Sequence, residues 1–199
     1  MSAINKLGTA LAISTLTLAM FGCKGQNNST YGPQQVTPAA TSSTGQNLIT
    51  LTPIDTLSIT DYSLELCIKN TGRKYVEEIS ALACNSKGIQ FLEGIEQLTE
   101  LKSLHLNFND IQDISPLVEL KKLQTLYLSG NQIQNLEALS ELSQLSELGI
   151  QKNYIQDLSP LQSMTSLKSL HTHSNQIDDF SILNSLELDQ LSGKEMQES

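Results

Sequence analysis

Aliphatic residues return to equivalent places every 22 residues through much of the chain, and few folds satisfy a period of that length. Leu101, Leu104 and Leu106 are followed at this interval by Leu123, Leu126 and Leu128, then by Leu145, Leu148 and Ile150. A fourth copy, Leu167, Leu170 and Thr172, keeps two of the three aliphatics, and Ile79, Leu82 and Cys84 form the same triplet upstream. Three residues after each triplet stands Asn109, Asn131, Asn153 or Asn175, and two further on Ile111, Ile133, Ile155 or Ile177. The upstream copy has Lys87 in the Asn place and keeps Ile89. A unit of this size cannot bury its own aliphatic set, so units must stack, each supplying a short strand whose first, fourth and sixth motif residues point inward.

The LxxLxLxxNxI spacing resembles that of leucine-rich repeats. The return segments Ile114-Ser115-Pro116-Leu117, Leu136-Glu137-Ala138-Leu139 and Leu158-Ser159-Pro160-Leu161 resemble the 22-residue class of internalins and of a phosphatase-1 regulatory subunit. The segment from Leu64 through Gly94, with Cys67, Tyr75, Glu78, Cys84 and Gly94-Ile95-Glu96, is similar to the cysteine-bearing N-terminal cap of exported bacterial relatives. The resemblance implies an α/β repeat solenoid: a right-handed coil with short parallel strands on the concave side and short 3-10 or irregular segments on the convex side. It also implies a binding surface rather than an enzyme.

Residues 1–22 read as a secretory signal: Lys6 is the only charge, and Leu7 to Phe21 is apolar or small but too short and too rich in Thr and Ser to span a bilayer. Leu18-Ala19-Met20-Phe21-Gly22-Cys23 resembles a lipobox, which implies diacylglycerol on Cys23; the other reading is a plain thiol beside an ordinary cleavage site. Lys24, where an Asp would favour the inner membrane, makes the outer membrane the expected home. Losing Lys6 with the leader takes the net charge from −9 to −10, so only an acyl chain could hold this chain on a membrane. Such acidity, with no Trp and few basic residues, excludes a phosphate-binding surface and hence nucleic acid.

The remaining expectations follow from composition and register. Residues 23–50 are mostly Gln, Asn, Ser, Thr, Gly and Pro, with almost nothing to bury, and read as a disordered tether spanning roughly 30 Å. Residues 51–78 read as an N-terminal cap, with Thr60 or Asp61 capping a helix through Leu64, Cys67 and Ile68 that stops at Thr71-Gly72. Residues 79–191 hold about five repeats, the last degraded at Phe180, Leu183, Leu186 and Leu191, and 192–199 form a polar tail. In an oxidising compartment Cys67 and Cys84 pair as a disulfide or stay as two small buried thiols.

The candidate partner-binding face consists of the outward strand residues: His105, Asn107, Phe108, Tyr127, Glu147, Gln151, Lys152, His171 and His173. Coils ~4.8 Å apart should bring His105, Phe108 and Tyr127 into one cluster, unless Phe108 tucks inward. His171 and His173, two apart on a strand, would need a third ligand such as Glu147 or Asp179 to hold a metal, so solvated side chains are the default and no metal or cofactor is implied. No spacing marks a nucleophile, a base and an orienting acid. A monomeric envelope lipoprotein that binds a protein partner through this face is the expected function, and a surface adhesin contacting host cells or polymers is the alternative.

Overall fold

The computed structural model describes residues 50–193. Cys23, the signal segment and nearly all of the tether and tail lie outside the described residues. Six three-residue strands, β1 (Ala81–Ala83), β2 (Ser103–His105), β3 (Thr125–Tyr127), β4 (Glu147–Gly149), β5 (Ser169–His171) and β6 (Gln190–Ser192), form one parallel sheet in chain order. Leu82, Leu104, Leu126, Leu148, Leu170 and Leu191 are register partners across it. The fold is a leucine-rich-repeat solenoid: five of these six leucines are buried, and each strand returns through a short 3-10 segment such as Ser115–Glu119, Glu137–Glu141 or Ser159–Leu161.

Each return begins with one side chain closing a turn. Asp113, Asn135, Asp157 and Asp179 each accept the backbone N–H two residues on, at 2.7–2.8 Å, and Pro116 and Pro160 stand in the first helical turn where no N–H is required. The buried asparagines tie coil to coil. Asn131 Oδ1 accepts Ile111 N–H at 3.1 Å in the preceding coil, while its Nδ2 donates to Leu106 O and Leu128 O at 3.0 and 2.9 Å. Asn109, Asn153 and Asn175 repeat the pattern. Because each asparagine serves the coil before it, the first coil has none to serve, and Lys87 is tolerated there.

The N-terminal end is covered by α1 (Tyr62–Lys69), capped by Asp61, and by the 3-10 turn Ile54–Thr56. Leu64 and Ile68 seat the helix on the first coil, and a Cys67–Cys84 disulfide fixes it there. The bridge closes a separation of 17 residues. Its reduction is expected to lower unfolding free energy by about 3 kcal/mol, as a leftward shift of the urea midpoint on adding dithiothreitol; an unmoved midpoint would mean the cap packs as well without it.

The C-terminal end differs from its reading in two respects. A sixth strand, β6, pairs with β5 at an offset of 21 residues, Ser169 with Gln190, and so carries the sheet through Ser192, the first residue of the expected polar tail 192–199. The reason is backbone pairing, with Gln190 N–H bonded to Lys168 O and Ser192 O accepting from both the N–H and the hydroxyl of Thr172. Thr172 is thereby a satisfied inward hydroxyl. Leu191 holds the register place of the inward leucines yet is 38 % exposed, since no further described coil covers it.

Candidate binding face

The strand register arranges the outward side chains in rows along the sheet, on the side that becomes the concave surface of a stacked solenoid. One row is Ala83, His105, Tyr127, Gly149, His171 and Ser192; beside it run Ser103, Thr125, Glu147 and Ser169. Past the strand ends lies a third row, Asn85, Asn107, Ser129 and Gln151, knitted by Asn107 N–H to Asn85 Oδ1 at 2.7 Å, Ser129 N–H to Asn107 Oδ1 at 2.8 Å, and the Ser129 hydroxyl to Gln151 Oε1. Glu147 and Lys152 are the only charged residues at the outward motif positions three, five, seven and eight, in a chain of net charge −9.

His105 and Tyr127 meet edge to face, ring centroids 4.9 Å apart. The Tyr127 ring leans one coil onward over Gly149, where a Cβ would stand 2.5 Å from Tyr127 Cδ1. Burial, then the charge and hydrogen bond of Glu147, push the Tyr127 phenol above its ordinary pKa, so the ring presents a neutral hydroxyl at physiological pH. Glu147 also takes the Thr125 hydroxyl at 3.4 Å.

Phe108 does not tuck inward: it is 57 % exposed. Nor does it join the other two rings, for among the described residues His105–Tyr127 is the only aromatic pair in contact. Its ring lies over Gly130, where a Cβ would come within 2.6 Å of Phe108 Cδ1. The expected three-residue cluster is therefore a pair plus a separate ring, because residue 108 leaves the strand on left-handed backbone with φ 57°. Position eight is left-handed in each of the first five coils, at Ser86, Phe108, Gly130, Lys152 and Ser174. No residue signal marks it, since five coils use four residue types there.

The structure also makes two serine–imidazole pairs that spacing alone did not suggest, Ser103 Oγ with His105 Nε2 at 3.2 Å and Ser169 Oγ with His171 Nε2 at 3.3 Å. The sign was the repeated Ser-Leu-His. His171 Nδ1 meets the Ser192 hydroxyl at 2.8 Å, a neutral group in the place where a carboxylate would orient a catalytic base. These bonds fix side-chain direction along the rows. His173 lies farther along, beside Gln151 and Lys152.

A face of this kind is sensitive to its glycines. Gly149→Ala, on backbone without positive φ, should displace the Tyr127 ring while changing the thermal midpoint by a few degrees at most; loss of the His105–Tyr127 ring-current shifts in proton NMR would check it, and unchanged shifts would place the ring elsewhere.

Residues 99–141 and 143–185 match the model of a family described as leucine rich repeats, two copies in each match. Among solved structures, an internalin (inlF) from Listeria monocytogenes is similar at 27 % identity with a TM-score of 0.53, the match covering 73 % of this chain and 59 % of that one. The functional domain of InlJ from Listeria monocytogenes is similar in fold at 17 % identity with a TM-score of 0.50, over 72 % of this chain and 44 % of that one. The chain thus spans less than two thirds of both. No curated protein matches in sequence.

Proposed function

We propose that this chain is a bacterial cell-envelope lipoprotein, held by a lipid on Cys23 after removal of residues 1–22, that binds a protein partner through the concave face of its leucine-rich repeats. The observation that carries the reading is the composition of that face: half-exposed aromatic rings, imidazoles and amides with one acid and one lysine, on a chain whose many other carboxylates lie elsewhere. Exposed aromatics surrounded by neutral hydrogen-bonding groups form the anchors of protein interfaces, while a strongly charged surface would keep its water. Structural likeness to an internalin supports the same use of the fold. Outer-membrane residence follows from Lys24 beside the acylated cysteine, and residues 23–50 are the proposed connection between lipid and repeats.

Photo-crosslinking from position 127 in intact cells, read by mass spectrometry, should yield one dominant protein adduct. The double variant His105→Ala, Tyr127→Ala should reduce the partner's affinity at least tenfold without shifting the melt, because both side chains lie outside the packed leucine column. Full binding by the double variant would move the site off this face. Cys23→Ala should release the chain from the membrane fraction, and protease shaving of intact cells separates a periplasmic binder, which is protected, from a surface adhesin, which is digested.

A further inference from the structure

Left-handed backbone is costly for residues other than glycine, and where a coil imposes it the occupant reveals what the position is for. At position eight, three successive coils carry Phe108, Gly130 and Lys152, the first and last with φ 57° and 55°. The neighbouring coils place small serines there, so large side chains are not a requirement of the turn. Phe108 leans into the space left by Gly130. Between this row and the Tyr127–Gly149 row runs a shallow slot lined by Phe108, Tyr127, Ser129, Gln151, Lys152 and His173. Lys152 and Gln151 make its lining rich in donors. Lys152 is exposed and takes no part in the salt bridges, which engage Lys69, Lys121, Lys122 and Lys168. Gln151, in the slot lining, spends its carbonyl oxygen on the Ser129 hydroxyl, which leaves its amide nitrogen as a donor. The one acid of the face, Glu147, is occupied by Thr125 and Tyr127 in the row on the far side.

We propose that this slot recognises an extended segment of the partner protein in which an apolar side chain and a carboxylate lie two residues apart. This deepens the binding reading above and rests on it. The apolar side chain packs on the Phe108 and Tyr127 rings, and the carboxylate takes the Lys152 ammonium and the Gln151 amide. Two coils separate positions 108 and 152, about 10 Å, and the lean of the Phe108 ring over Gly130 shortens the gap. Residues i and i+2 of an extended strand lie on one side, about 7 Å apart, and match what remains. Charge complementarity favours this occupant: a basic segment would meet Lys152 with no other charge on this side of the face, whereas an acidic one satisfies a lysine that has no ion-pair partner among the described residues.

The test is selection of random twelve-residue peptides, displayed on phage, against the immobilised full chain. Enriched peptides should carry Asp or Glu two places from Leu, Ile, Phe or Tyr. A synthetic peptide of the consensus should bind Lys152→Glu at least tenfold more weakly and lose its salt dependence, with Lys152→Gln intermediate and Phe108→Ser also weakened; melting curves of these exposed-site variants verify folding. Enriched peptides without an acid, or with unchanged affinity for Lys152→Glu, overturn the slot chemistry but leave the concave-face reading standing if Tyr127→Ala abolishes their binding. Peptides indifferent to both Lys152→Glu and Tyr127→Ala overturn both. A selection that enriches nothing overturns the proposal of a linear segment.

Discussion

Asn131→Ala is expected to destabilise the domain by about 2 to 4 kcal/mol, more than most single changes at its surface would. The side chain is 6 % exposed and supplies one acceptor and two donated bonds to backbone groups of two coils, Ile111 N–H, Leu106 O and Leu128 O. Alanine leaves the buried Ile111 N–H unpaired, at about 1–3 kcal/mol, and strips one of two bonds from Leu106 O and Leu128 O, which keep Asn109 Nδ2 and Asn153 Nδ2, at about 0.5–1 kcal/mol each. Repeat stability is a sum of unit and neighbour terms, so a cut in the middle of the stack weakens both halves. Two comparisons make the test sharp. Asn175→Ala, at a less buried position near the C-terminal end, should cost less, and Lys87→Ala should cost almost nothing, because the donors at that turn, Lys87 N–H and Ile89 N–H, are already taken by Asn109. Urea denaturation of the three variants checks the order, and equal losses would show that these asparagines cap their own turns and do not join coils.

That inter-coil role marks the boundary of what the residues disclose. The period of 22 and the inward leucines were legible because burial demands apolar side chains at fixed intervals, and the observed register pairs Leu104, Leu126 and Leu148 in one column. Outward placement of His105 and Tyr127 followed from strand alternation. Other features had no sequence signature because their partners are distant or their cause is the backbone. The left-handed eighth position is imposed by the coil, so Ser, Phe, Gly and Lys all occupy it. At Gly130 and Gly149 the residue itself offers no side chain to interpret; only the structure shows a ring lying over each. The pairing of β6 with β5 was hidden by a repeat one residue short. Phe91 and Tyr154, exposed on the flank of the coils, fall at motif places where the period makes no demand.

The cap shows the same division within one residue. Asp61 was legible as a helix cap, and its Oδ1 does accept Ser63 and Leu64 N–H at 2.8 and 3.1 Å. Its Oδ2 accepts Gln90 and Phe91 N–H at 2.8 and 3.3 Å, from the first coil some thirty residues away. One carboxylate therefore joins the cap to the solenoid, and Asp61→Ala should cost about 3 to 5 kcal/mol by freeing four backbone donors, since bonds to a charged acceptor contribute about 1.5–3 kcal/mol each and water recovers part. Burial by itself would raise this pKa, but the bonds from Gln90, Leu64, Phe91 and Ser63 outweigh it and hold the carboxyl below its ordinary value. For a depressed pKa the sign is fixed: the stabilisation is fully present above the unfolded value of about 4 and is lost as pH falls through the lower folded value. The difference in unfolding free energy between the parent and Asp61→Ala should thus be constant from pH 7 to about pH 5 and shrink below about pH 4. Glu78, lowered by its bonds from Lys74 and Tyr75, titrates in both proteins and largely cancels in the difference. Asp61→Asn, which turns one amide donor toward backbone donors, should lose most of the same stability and flatten the acid dependence. A difference that grows in acid would mean that the protonated carboxyl, and not the charge, holds the cap to the first coil.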